Sequence, residues 1–224
     1  MADNDTMWQM YGNSEVLTKC KADSRFAYVV ALARAVNALN AGHSLMVRAG
    51  NNDTPSAQRD RMNSYFFSSA IFYEILKLIR SMGAVYGKEK IFQDTIQALL
   101  KAKRVQELEQ EHLKAARRDA VFHYLPQRFA EAIMTTGMID CIFVIGQGEK
   151  IGDIHYEFAD YIAAEMEVGG RIDNHAVVTE MMQNKLELVR QLIVSSQEFI
   201  AHQLQAWGFQ IRRTPSSRNN QAQG

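Results

Sequence analysis

The stretch that decides the fold is Tyr65-Phe66-Phe67-Ser68-Ser69-Ala70-Ile71-Phe72-Tyr73-Glu74-Ile75-Leu76-Lys77-Leu78-Ile79. Apolar residues recur at helical spacing on nearly every side, the pattern of a central, enclosed helix. Its start is marked by Gly50-Asn51-Asn52-Asp53-Thr54-Pro55, which offers Asp53 or Thr54 as cap and Pro55 for the first turn. Gly83 and Gly87 mark its end, so a helix over 55–82 is expected. Glu74 is the polar exception, and an unpaired carboxylate at such a position is expensive. It fits a helix-edge residue, the partner of a structural arginine, or a carboxylate that orients a site.

Upstream, Phe26, Val29, Val30, Ala33, Val36, Ala38 and Leu39 repeat at three- and four-residue intervals, with Ser24 as candidate N-cap and Gly42 near the end. Downstream, a shorter helix carries Ile91, Thr95, Leu99 and Leu100, and a charged helix is expected over 105–124. Pro126 disfavours helix at the residue before it and marks a boundary. Helical pattern returns at 127–136 and near 155–167. The β-branched run 139–145 reads equally as a short strand or a buried extended piece, and periodicity does not choose. The last helix, over 173–207, spans roughly 50 Å.

These elements predict an all-α, single-domain helical bundle over 24–211, with a polar N-terminal arm at 1–23 and a disordered basic tail at 212–224. The composition agrees: 47% of the 224 residues are hydrophobic, and only 3 are Pro and 13 Gly, too few for a turn-dense β-sandwich. The formal net charge is zero, so any nucleic-acid contact must come from a local cluster. Cys20 and Cys141 are isolated, which indicates neither zinc nor a disulfide framework. Apolar runs fall far short of the ~20 residues that cross a bilayer, and the acidic start lacks a signal region, so a soluble cytoplasmic protein without membrane contact is expected.

Searches for a phosphate loop, HExxH, di-iron Glu-x-x-His pairs and a Gly-x-Ser-x-Gly elbow find none, so no metal or cofactor is expected. The remaining chemistry lies in Lys114-Ala115-Ala116-Arg117-Arg118-Asp119-Ala120-Val121-Phe122-His123-Tyr124. A guanidinium meets charge on phosphate oxygens with paired donors, and an imidazole takes a proton from a ribose 2′-hydroxyl or gives one to a leaving oxygen. Asp119, four residues before His123 on the same helical side, is placed to fix the ring tautomer. Five α-helical steps separate Arg118 and His123 by about 140°, so the helix deforms between them or a second copy completes the site. The plainer reading is a cluster of Lys114, Arg117 and Arg118 that favours a helix C-terminal dipole.

The run Arg118-Asp119 followed, after three residues, by His123 resembles the signature of the HEPN superfamily, all-helical proteins with an Arg, a polar residue and a His four to six positions after the Arg. The surroundings are similar to a group of uncharacterised bacterial HEPN-like proteins with a late Phe/Ala-His-Tyr run and an earlier aromatic-rich helix, here Ser64 to Glu74. The strong match covers about a dozen residues. Pro126 follows His123 closely, and 137–152 is longer than a minimal bundle needs.

The resemblance implies a homodimer with Arg118 and His123 at a cleft on the dimer axis, supported by Asp119, Glu74 and Tyr124, with Lys114 and Arg117 on RNA. It implies a metal-independent endoribonuclease of a toxin–antitoxin or anti-phage system, whose partners are RNA and a cognate antitoxin protein. It equally implies the alternative, a non-catalytic dimerisation or binding module that retains the motif.

Overall fold

The computed structural model of the chain describes residues 6–50, 54–113, 126–135 and 175–215, with Ala159, Ile162, Ala163 and Met166. Strand β1 (Thr6–Tyr11) leads into helix α1 (Ser14–Ala22) and helix α2 (Arg25–Ala49). Helix α3 (Pro55–Tyr86) begins as its sequence predicts, with the Thr54 side chain accepting from Ala57 N–H at 3.3 Å and Pro55 in the first turn. A run of short pieces follows: α4 (Lys90–Phe92), a π-helical stretch (Gln93–Gln97), α5 (Ala98–Lys101), α6 (Lys103–Leu108) and a second π-helical stretch (Glu109–Leu113). Helix α7 (Pro126–Thr135), helix α8 (His175–Ala206) and strand β2 (Gln210–Pro215) complete the described elements.

The fold is all-α, and its core lies where α2, α3, the 90–113 pieces and α8 converge. Leu32 and Leu39 of α2 meet Phe72, Ile75, Leu76, Ile79 and Met82 of α3 in a cluster closed by Leu188 and Leu192 of α8. At one end the rings of Tyr86, Phe92 and Phe199 pack with centroids 5.1–6.1 Å apart, in mostly edge-to-face geometry. A smaller cluster joins Tyr65 and Phe66 to Ala163, with Phe129 of α7 and Met182 of α8 against it.

Several boundaries differ from the sequence expectation. Ser24 makes no side-chain cap; the Asp23 carboxylate one residue earlier accepts from Arg25 N–H at 2.9 Å. Helix α2 runs through Gly42 to Ala49, because the missing side chain at Gly42 admits α3: a Cβ there would stand 2.6 Å from Ser68 Oγ. Helix α3 likewise passes Gly83 and ends at Tyr86. It is not enclosed on all sides, since Phe67 is 43% exposed and Lys77 and Arg80 face solvent.

The arm and the tail are also corrected. Residues 14–22 are helical, and β1 pairs antiparallel with β2, from Thr6 opposite Pro215 to Tyr11 opposite Gln210. Arg212 and Arg213 therefore stand in a strand, not in a disordered tail. Gly208, at φ +99°, makes this possible by turning the chain out of α8, a conformation that a side chain disfavours. The run 139–145 lies outside the described residues, as does most of the expected helix near 155–167.

Candidate functional site

Arg118, Asp119, His123, Tyr124, Lys114 and Arg117 all lie outside the described residues. The structure does describe the chain that leads to them and the helix that carries Glu74. Leu108 and Leu113 are both buried in the main core although five residues apart. In an α-helix that spacing sets them about 140° apart, but a π-helical stretch, with more residues per turn, returns them towards one side. Glu109 within this stretch accepts from Arg80 of α3, with Nη1 to Oε1 at 2.7 Å and Nη2 to Oε2 as the second arm. This bidentate pair raises the pKa of Arg80 and, with Leu113, ties the chain to α3 immediately before residue 114.

Glu74 is a helix-edge residue. Its side chain is 43% exposed and pairs with Lys77 one turn on, Oε2 to Nζ at 3.2 Å, while that ammonium lies 5.9 Å from the Tyr73 ring.

Sequence reasoning missed a second constellation. Lys185 of α8 is 3% exposed; its ammonium donates to the Tyr65 carbonyl at 2.8 Å and to Ser69 Oγ, and sits 3.1 Å from the Tyr65 ring centroid. Ser69 Oγ in turn donates to the Tyr65 carbonyl at 2.9 Å. The signal was in the sequence: Met182, Lys185, Leu188, Val189 and Leu192 recur at three- and four-residue steps, so Lys185 occupies a core position of its helix. Met46, Met182, Leu186 and the Tyr65 ring line a largely apolar cleft beside it, with His43 exposed among its lining residues. A lysine beside a serine suggests nucleophilic catalysis, but Ser69 is wholly buried and commits its proton to a backbone carbonyl, so it presents no nucleophile to a substrate.

A third polar cluster clamps the other end of the bundle. Arg25 pairs with Asp23 through Nη2 at 2.7 Å and reaches Glu89 at 3.4 Å; Gln203 Nε2 donates to Glu89 at 2.6 Å and Trp207 Nε1 to Asp23 at 3.2 Å. Tyr86 donates its hydroxyl proton to the Arg25 carbonyl at 2.8 Å. The hydrogen bonds from Arg25 hold the Asp23 carboxyl at about 2, against burial, which acts in the opposite sense. The groups are saturated with one another, as in a structural clamp. Among the described residues no three His, Cys, Asp or Glu side chains group closely enough to hold a metal ion, and no helix is long and apolar enough to cross a membrane.

No protein-family model matches the chain, and neither a curated protein nor a solved structure resembles it significantly.

Proposed function

We propose that the chain is a metal-independent endoribonuclease of HEPN type, acting as a homodimer. The observation that carries this reading is the Arg118-Asp119…His123 run set in an all-α fold. The anchoring of residues 109–113 on α3 supports it, since the chain enters the motif segment from the helix that bears Glu74.

In the proposed reaction His123 takes the proton from a ribose 2′-hydroxyl, and the freed oxygen attacks the adjacent phosphorus. The bond from phosphorus to the 5′-oxygen breaks, and that oxygen receives a proton from the second imidazole of the dimer. The products are a 2′,3′-cyclic phosphate and a 5′-hydroxyl. Arg118 pairs with the non-bridging oxygens as charge accumulates on them. Asp119 orients the imidazole, Glu74 and Tyr124 support the site, and Lys114 and Arg117 hold neighbouring phosphates. A toxin or anti-phage role, with a cognate antitoxin protein as partner, belongs to the same reading.

The test is cleavage of a structured RNA in EDTA, with end-group analysis. The wild type is expected to leave cyclic phosphate ends, and His123→Ala to lower the rate by roughly a hundredfold or more. Equal cleavage by wild type and variant removes the nuclease reading. No cleavage by either, with Arg118→Ala lowering the melting temperature, marks the non-catalytic binding module instead.

A further inference from the structure

The ribbon formed by β1 and β2 is a two-stranded sheet, with no third strand among the described residues. Each strand therefore turns one row of backbone N–H and C=O groups away from its partner. Such edges are sites of strand addition unless charge, proline or a covering element guards them.

The two edges differ in that protection. Strand β2, Gln210-Ile211-Arg212-Arg213-Thr214-Pro215, carries two arginines and a proline. Strand β1, Thr6-Met7-Trp8-Gln9-Met10-Tyr11, has no charged residue and no proline over all six positions. It is rich in residues that favour strands, and the adjoining Tyr11 and Ile211 are 51% and 45% exposed. A two-stranded ribbon is marginal alone, and a third strand on β1 relieves that.

We infer that β1 is an interaction edge whose occupant is β1 of a second copy, paired antiparallel across a two-fold axis. Self-pairing of one strand is isologous by construction and closes at two copies. At full overlap Thr6 faces the copy's Tyr11, Met7 its Met10 and Trp8 its Gln9, so no like charges meet. The same operation on β2 sets Arg212 directly opposite the copy's Arg213, and like charges so placed repel. Charge thus selects β1 over β2, and the product is a four-stranded sheet in the order β2-β1-β1-β2. The inference does not depend on the nuclease reading, because it uses no residue of the 114–124 segment.

The test uses the full chain and two double variants. Met7→Lys/Met10→Lys and Met7→Asp/Met10→Asp each place like charges opposite one another twice across the axis. By sedimentation the wild type is expected to be a dimer. Each variant, with its helical circular dichroism retained, should dissociate at least roughly tenfold more readily. Mixing the two variants should restore a dimer containing one of each, because both contacts then become opposite-charge pairs. Hydrogen exchange at residues 6–11 should slow as wild-type concentration rises. A monomeric wild type, dimers that survive in both variants, or a mixture that stays monomeric would each overturn the proposal. Oligomers that grow without limit would point to head-to-tail pairing of β1 with β2 and overturn it as well.

Discussion

The indole N–H of Trp207 donates to Asp23 Oδ2 at 3.2 Å, joining two residues 184 positions apart at one end of the bundle. The same carboxylate takes Arg25 N–H and the Arg25 guanidinium, so one side chain fastens the α1–α2 junction to the end of α8.

That arrangement predicts an acid limit to stability. The Asp23 carboxyl is held at about 2, below its ordinary 3.8, chiefly by hydrogen bonds from Arg25. A depressed carboxyl contributes its full stabilisation above the unfolded value and loses it as pH falls through the folded one. The loss is therefore expected between about pH 4 and pH 2. With part of the pair open to solvent, it amounts to about 1–2 kcal/mol. Asp23→Asn keeps an acceptor for Arg25 N–H but removes the charge. Urea midpoints of wild type and variant should differ at neutral pH and converge near pH 2; a constant gap would refute the linkage.

Lys185 sits in a core position, so its stem contributes packing as well as charge. Replacement by Met keeps most of that volume, and Ser69 still donates to the Tyr65 carbonyl. Lys185→Ala leaves a cavity between α3 and α8 and is expected to destabilise by about 2–4 kcal/mol. Lys185→Met should recover at least about 1 kcal/mol of that in denaturant unfolding. A Met variant no better than Ala would show that the ammonium itself holds the helices together.

The π-helical stretch at 109–113 has a specific signature in deletion experiments. Removing exposed Gln110 leaves Leu108 and Leu113 four apart, a spacing that an ordinary α-helix places on one face. The deletion is therefore expected to leave melting temperature unchanged or raised. Leu113→Ala, which empties a fully buried position, should lower stability by about 2–5 kcal/mol. Unfolding of the deletion variant would show that the extra residue is needed for the core.

The proposed nuclease makes its own prediction about assembly. If Arg118 and His123 act on one phosphate from different subunits, Arg118→Ala and His123→Ala proteins are each inactive alone. Mixed and allowed to exchange subunits, they should recover roughly a quarter of the wild-type rate, since half the dimers then hold one intact site of two. No recovery after verified exchange would place both groups in one subunit.

Much of the fold was readable from local pattern. Thr54 and Pro55 announced the start of α3, and the apolar repeat between 178 and 204 announced α8 to within a few residues, because caps and helical periodicity act over three or four positions. Glycine proved a poor stop signal at Gly42 and Gly83, where packing against neighbouring helices outweighs its conformational cost. Of the candidate site, the motif residues were legible as chemistry, and Glu74 as a helix edge.

By itself, then, the sequence determined that this chain folds as helices and where the longest of them begin, since those choices rest on hydrogen bonds and side-chain contacts a turn apart. Only tertiary structure decided that residues 6–11 and 210–215 form a ribbon and that Asp23 meets Trp207. It alone also decided that Lys185 lies against Tyr65. Each of these joins groups more than a hundred positions apart, and no local periodicity encodes a partner brought near only when the core has closed.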